Sequence, residues 1–253
     1  MDAQLSITVD VDGAAGLPGG GAGYEHRLSS WSERTYGLAR GLPRILGVLD
    51  EFGVRATFYV PGVTAERHPE EIAALAATRH EIGHHGHTHR RPDELDDETQ
   101  LRELAEGSLA LEAITGRAPA GYRAPGWELT TATLAGLADA GFAFDSSLMG
   151  DDRPYLVGAG GRRLVELPVH WALDDAPHFA HTTALGGLLA VWIAELWAAR
   201  REERHTTVTC HPEILGRAHR IDVLRRLLDA AARQEIECVV HGDVARAMAA
   251  GVA

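Results

Sequence analysis

Pro43-Arg-Ile-Leu-Gly-Val-Leu-Asp-Glu-Phe-Gly-Val-Arg-Ala-Thr-Phe-Tyr-Val60 is the stretch whose reading decides the fold. Pro43 to Phe52 carries apolar side chains at helical spacing, and Gly53 stops the run. Arg55 to Val60 then supplies the β-branched and aromatic residues of a strand. The same helix–glycine–strand unit recurs outward from here. Pro69 to Thr78 reads as a helix before a strand from Glu81 to His85. Asp97 to Ile114 reads as a long helix, ended at Gly116, before the short segment Gly121 to Pro125. Thr130 to Ala140 is helical, Gly141 ends it, and Phe142 to Asp145 follows as a strand. Upstream, Leu5 to Val9 is a short apolar strand that runs into Asp10 and Asp12. Downstream come strand Leu164 to Trp171, helix Gly187 to Glu202, strand Thr206 to His211, helix Arg220 to Arg233, strand Glu237 to Val240 and a final helix after Gly242.

Alternation of this kind builds parallel βαβ units, so the chain is predicted to be α/β with about seven parallel strands. Asp10, Asp12, His85, Arg123, Asp145 and His211 all fall at C-terminal strand ends, where a (β/α) barrel carries its site. A distorted, closed or partly closed barrel is therefore preferred to two open sheets. No linker of disordered composition divides the 253 residues, and one domain over 1–253 is expected. Residues 13–35, rich in glycine and polar side chains, read as a long loop on the site's side of the fold.

The formal charge of -12 argues against binding to a nucleic-acid backbone, and no basic stripe offsets it. Cys210 and Cys238 are the only cysteines, so a disulfide framework does not organise the fold. The N-terminal residues lack a basic segment followed by an apolar one. The longest apolar stretch, around Leu185 to Ala199, contains Glu195 and is too short for a bilayer. A cytoplasmic address and no membrane partner are expected.

Five of the fourteen histidines fall in His80-Glu-Ile-Gly-His-His-Gly-His-Thr-His89. His80-Glu81-Ile82-Gly83-His84 satisfies the zinc-protease pattern H-E-x-x-H, which needs a helix. Gly83 and Gly86 interrupt the segment, and in a strand His80 and His84 lie about 13 Å apart, so that reading is rejected. His85 and His89 remain. A strand end turning into a loop brings their rings onto one metal ion, and a distant aspartate completes a facial set with open positions. A solvated histidine-rich turn is the plainer reading of the pair alone, and His84 and His87 keep it. Asp10 and Asp12 share a strand face, so one can ligate a metal while the other acts as base; backbone capping is their ordinary alternative. Arg123-Ala-Pro-Gly126 is a sharp turn that aims a cation toward a carboxylate, and the Gly126 N–H is a candidate oxyanion donor. His211 ends a strand. Cys210 beside it faces the other way, which makes it a buried inert thiol rather than a nucleophile.

Taken in order, Thr8-Val-Asp10-Val-Asp12-Gly, His85-Gly-His-Thr-His89, Arg123-Ala-Pro-Gly, Asp145-Ser-Ser and Thr209-Cys-His211 resemble the five motifs of NodB-type polysaccharide deacetylases, carbohydrate esterase family 4. The match runs from about Leu5 to about Val240. The resemblance implies Asp10 as catalytic base and Asp12, His85 and His89 as ligands of zinc or another divalent ion. It implies Arg123 as the group holding the base, Asp145 as the group holding Arg123, and His211 as the general acid. The chain departs from the family pattern in spreading the aspartate dipeptide to Asp10-Val-Asp12, in its extra histidines, and in Gly126 where an aromatic residue is usual. Leu148 to Tyr155 and Glu166 to Asp175 are similar to the intracellular branch, which includes peptidoglycan-deacetylase-like, allantoinase-like and cyclic-imide-hydrolase-like proteins. That branch implies homo-oligomers and makes Trp127, Trp171, Asp174 and Asp175 candidates for the substrate wall, with packing and loop capping their ordinary roles.

The function expected is metal-dependent hydrolysis of non-peptide C–N bonds, foremost N-deacetylation of an acylated amine or amino sugar. A cyclic imide or ureide is the alternative substrate. Readings from other classes are a 2-His-1-carboxylate Fe(II) oxygenase, disfavoured by the strand–helix alternation, and a non-catalytic sugar-binding protein, disfavoured by the intact Asp10, Arg123 and His211.

Overall fold

A computed structural model describes residues 2–159 and 161–251; the extreme ends of the expected 1–253 domain and Gly160 lie outside them. The strands are β1 (Gln4–Asp10), β2 (Thr57–Val60), β3 (Glu81–His84), β4 (Gly121–Tyr122), β5 (Phe144–Asp145), β6 (Tyr155–Ala159), β7 (Arg162–Glu166), β8 (His205–Cys210) and β9 (Glu237–Cys238). The helices are α1 (Leu28–Tyr36), α2 (Leu42–Glu51), α3 (Gly62–Arg67), α4 (Pro69–Ala76), α5 (Asp97–Thr115), α6 (Thr131–Ala140), α7 (Asp175–His181), α8 (Leu185–Glu202), α9 (Asp222–Arg233) and α10 (His241–Ala249).

The strands form a nine-stranded sheet in the order β6-β7-β5-β4-β3-β2-β1-β8, with β9 against the start of β1. It curls into a distorted, incompletely closed (β/α) barrel, the fold class the alternation predicts. Among the described residues only the β6–β7 pair is antiparallel. The hairpin adds β6, and the short segment from Gly121 holds β4, which takes the expected seven or so strands to nine. Tyr155–Ala159 was not read as a strand because it is short and flanked by turn residues, and the strand expected from Leu164 to Trp171 ends at Glu166.

Residue parity along β1 organises the interior. Leu5, Ile7 and Val9 face outward into a fully buried cluster with Ile45 and Leu49 of α2, Trp192 of α8 and Leu224 of α9. Each such aliphatic side chain contributes about 1.5–3 kcal/mol by leaving water. The opposite face carries Ser6, Thr8 and Asp10, so the barrel's inside is polar and every group there needs a partner. Ser6 bonds His205 and the Val239 carbonyl, and Thr8 bonds Thr209 across the β1–β8 register.

Residues 13–35 are not the plain loop expected. Gly13–Gly16 and Pro18–Gly21 are short 3-10 turns, and Leu28–Tyr36 is an α-helix continued by a π-turn at Gly37–Gly41. A Cβ at Gly41 would sit 1.9 Å from the Pro212 carbonyl oxygen, so the bare glycine is what lets this helical run lie against the turn after β8. No helix among the described residues is long and apolar enough to cross a membrane.

Candidate active site

Asp10, Asp12, His85, His89, Gly126, Trp127, Trp171, Asp174 and His211 line a single cavity of about 340 Å³ at the C-terminal ends of the strands, with Ala176, Pro177 and Ala180 of α7 along its side. The strands deliver these groups from separate parts of the chain. Three other expected site residues lie behind this wall rather than in it: Arg123 supports Asp10, Asp175 supports His211, and Asp145 is deeper.

His85 and His89 are set by the backbone. Gly86 adopts φ 71° and His89 itself φ 61°, a left-handed conformation costing a histidine on the order of 1 kcal/mol. The turn brings the two rings to 4.9 Å between centroids. His85 Nδ1 donates to the Arg123 carbonyl at 2.8 Å, which leaves the Nε2 lone pair facing the cavity. Burial, only partly offset by Asp10, lowers the His85 pKa to about 4, so the ring is neutral at pH 7. Asp12 Oδ1 lies 3.6 Å from His85 Nε2 and 3.3 Å from His89 Nε2. That oxygen is buried and has no hydrogen-bond partner among the described residues. Ligands about 2.1 Å from a tetrahedral ion lie roughly 3.4 Å from one another, so a divalent cation fits this trio and would satisfy the orphaned oxygen. Burial alone would raise the Asp12 pKa, but His89, His211 and His85 hold it well below the usual carboxylate range.

Asp10 is held by a fully buried guanidinium. Arg123 Nη1 donates to Asp10 Oδ1 at 2.7 Å and to the hydroxyls of Thr8 and Thr209 at 2.9 and 3.3 Å. Nε and Nη2 donate to the Ser146 carbonyl and hydroxyl at 3.0 and 2.9 Å, and the cation lies 4.3 Å over the Tyr59 ring. A buried charge this fully bonded orients its partner rigidly. Asp10 Oδ2, the oxygen not bonded to Arg123, is 3.8 Å from His85 Nε2.

Asp145 does not take the place expected of it. The Arg123 bonds go to Asp10, Thr8, Thr209 and Ser146, while Asp145 Oδ1 accepts from the Ser147 hydroxyl. Ser147 in turn accepts from the Ala124 N–H, at the turn that carries Gly126. Glu166 stands beside Asp145 and accepts from the Ser147 and Leu148 amides. Burial raises the Asp145 pKa to about 6, and burial with the Asp145 charge raises Glu166 well above its ordinary value. Two buried carboxyls in contact share a proton. A single acid in the apolar run Leu164-Val-Glu-Leu167 was the available signal for Glu166, and sequence reasoning missed it.

His211 is gripped by Asp175, whose Oδ1 accepts from Nδ1–H at 2.7 Å and whose Oδ2 accepts the His211 amide at 3.0 Å. Asp175 is fully buried and is not part of the substrate wall; Asp174 does line the cavity and caps α7 through the Ala176 amide. Burial pushes the His211 pKa down, but Asp174 and Asp175 prevail and raise it well above the ordinary imidazole value. Asp174 is raised to about 7, by burial first and against the pull of His211. His211 Nε2 reaches to 3.9 Å from Asp12 Oδ2. Trp127 and Trp171 stack at 4.6 Å, forming an apolar lip on the cavity.

Arg34 of α1 and the buried Glu213 were also missed. Arg34 Nη1 bonds Glu213 Oε1 and lies 4.0 Å from Asp12 Oδ2, so the end of the 13–35 segment packs beside the site. His80 and His84, the ends of the H-E-x-x-H pattern, accept from the Ala56 amide and bond the Leu104 carbonyl respectively. Cys210 is buried in the outer core, as its parity requires.

Residues 35–144 match the family model described as polysaccharide deacetylase. The crystal structure of a candidate polysaccharide deacetylase from Mycobacterium smegmatis is 38% identical, with a TM-score of 0.92 over 99% of this chain and 91% of that one. A peptidoglycan deacetylase of Helicobacter pylori is 26% identical over 95% of this chain and 94% of its own length. A crystal structure of an allantoinase shares the fold, with a TM-score of 0.84 and 20% identity over 96% of this chain and 89% of that one.

Proposed function

This chain belongs to the polysaccharide deacetylase family, and from that premise we propose that it hydrolyses an N-acyl C–N bond with a divalent cation held by Asp12, His85 and His89. The carrying observation is the convergence of the orphaned Asp12 oxygen and two histidine Nε2 atoms beside an arginine-held carboxylate and a carboxylate-held imidazole. When bound, the cation supplies Lewis acidity toward the scissile carbonyl and makes water easier to deprotonate. Zinc suits a two-histidine, one-carboxylate set with open positions.

The remaining steps belong to the chain's own groups. Asp10, anchored through Oδ1, removes a proton from the attacking water with Oδ2 as the oxygen–carbon bond forms. His211, protonated because Asp175 holds Nδ1–H, gives its Nε2 proton to the nitrogen as the carbon–nitrogen bond breaks. The products are a carboxylic acid and an amine, and one proton has passed from Asp10's side to His211's on return to the starting state. The Gly126 amide is the proposed oxyanion donor. Trp127 and Trp171 exclude water from the acyl side.

An N-acetylated amino sugar is the primary substrate class. A cyclic imide or ureide is the second reading, supported by a cavity of about 340 Å³ with a stacked indole pair suited to a flat ring. The test is metal analysis of the purified protein followed by a hydrolysis screen of acetylated sugars, aryl amides, imides and ureides. His89→Ala should lose both metal and turnover, whereas Asp10→Asn should keep the metal and lose turnover. Full activity after metal stripping overturns the proposal, and bound iron with oxygen consumption replaces it with oxygenase chemistry.

A further inference from the structure

At the opposite end of the barrel from the site lies a cavity of about 350 Å³, walled by Arg55, Arg79, Arg117 and Arg246 together with His80 and Glu81. It opens between the N-terminal ends of β2, β3 and β4, the C-terminal end of α5 and the outer side of α10. Four cations converging on one hollow are unusual in a chain of net charge -12. Their compensation is incomplete. Arg55 and Arg246 both pair with Asp243. Arg79 makes one bond, at 3.4 Å to the Val54 carbonyl, and the Arg117 guanidinium has no ion-pair partner among the described residues.

One oxygen of the wall's carboxylate is already engaged. Glu81 Oε2 receives the Thr57 hydroxyl at 2.8 Å and the Gly242 amide at 3.0 Å. His80 adds a donor: its Nδ1 accepts the Ala56 amide at 3.2 Å, so the neutral ring carries its proton on Nε2. The hollow therefore offers the N–H groups of four guanidinium ions against a single lining carboxylate, Glu81. Planar guanidinium forks match the oxygens of phosphate and carboxylate.

We propose that this hollow is a second binding site, separate from the proposed hydrolytic centre, for a small anion bearing two or more negative charges. A phosphate monoester and a dicarboxylate share that chemistry, and the volume accommodates the charged group with a sugar-sized body. Arg79 and Arg117 supply the uncommitted charge, while Arg55 and Arg246 are prepositioned by Asp243.

Isothermal titration at low ionic strength with glucose 6-phosphate and, separately, succinate tests this on the full chain. The phosphate arm and the carboxylate arm distinguish the two sources. Binding of at least one probe is expected, weakening as NaCl is raised. Arg79→Ala with Arg117→Ala should weaken it at least tenfold while leaving amide hydrolysis unchanged. His89→Ala should bind the probe as wild type does, which separates this site from the hydrolytic one. Both arginines are solvent-exposed, so the variants are expected to fold, and single Arg117→Gln provides a milder second version. No binding of either probe overturns the proposal, as does binding kept in the double variant or lost in His89→Ala. Failure of the hydrolysis screen leaves this result unaffected.

Discussion

Asp175→Asn isolates how His211 is made acidic. The wild-type carboxylate accepts two N–H groups, Nδ1–H at 2.7 Å and the His211 amide at 3.0 Å. A carboxamide of the same shape has one acceptor oxygen. The backbone amide is buried and has no alternative, so the oxygen goes to it and the new NH2 faces Nδ1. The ring proton is then driven to Nε2 and the imidazole is neutral. One charge-assisted bond is lost, a loss of about 1.5–3 kcal/mol. At a tenfold rate change per about 1.4 kcal/mol, kcat should fall roughly 10- to 100-fold with KM nearly constant. The pH profile should move as well. Asp174 and Asp175 raise the His211 pKa, and a general acid works only while protonated, so the alkaline limb of kcat/KM should shift to lower pH in the variant. Steady-state kinetics on the substrate identified by the screen, with thermal melts to check folding, is the assay. A kcat within twofold of wild type, or an alkaline limb that does not move, refutes the reasoning.

Glu166→Gln should remove a pH-dependent liability. The folded pKa values of Asp145 and Glu166 lie above their unfolded ones, so their contribution is present at low pH and is lost as pH rises from about 4 through about 6 and beyond. A glutamine keeps both amide contacts and donates to Asp145 at every pH. The variant should therefore gain up to about 3 kcal/mol on wild type between pH 4 and pH 8 in urea unfolding, and parallel curves would contradict this. Trp171→Ala should raise KM about 2- to 10-fold through loss of the Trp127 stack, with kcat and melting temperature little changed because Trp171 is 44% exposed. A collapse of kcat instead would place Trp171 in the chemistry.

Much of this was legible in the sequence because parallel strands advertise their C-terminal ends. Asp10 ends β1 with Asp12 two residues on, and His85, Arg123 and His211 each follow the last residue of a strand, so the fold gathers them at one end of the barrel. What escaped notice depended on contacts far apart in the chain. Asp175 meets His211 across 36 residues, and nothing local separates that bond from ordinary capping. Asp145 was assigned to Arg123 by resemblance. Its contact with Glu166 is a pairing of like groups that no charge pattern suggests. Glycine content hid α1: composition around Gly13–Gly23 favours a loop, yet Leu28–Tyr36 folds as a helix because Arg34 reaches Glu213 and Gly41 clears Pro212.

Among the described residues the edge strands β6 and β8 do not pair with each other, so the barrel stays open there. The chain between Glu166 and α7 runs over to β8 and pairs with that strand once, Asp174 with Thr209. The next residue is the one that holds His211. The seam of the barrel and the switch on its proposed acid are thus one piece of chain, tied to β8 by one bridge and one carboxylate. Loosening the seam disconnects the acid while the outer core around Trp192 and Leu224 stays intact. Turnover should therefore fade at denaturant concentrations where far-UV circular dichroism still reports a folded protein, which makes activity the earliest gauge of whether the latch is shut.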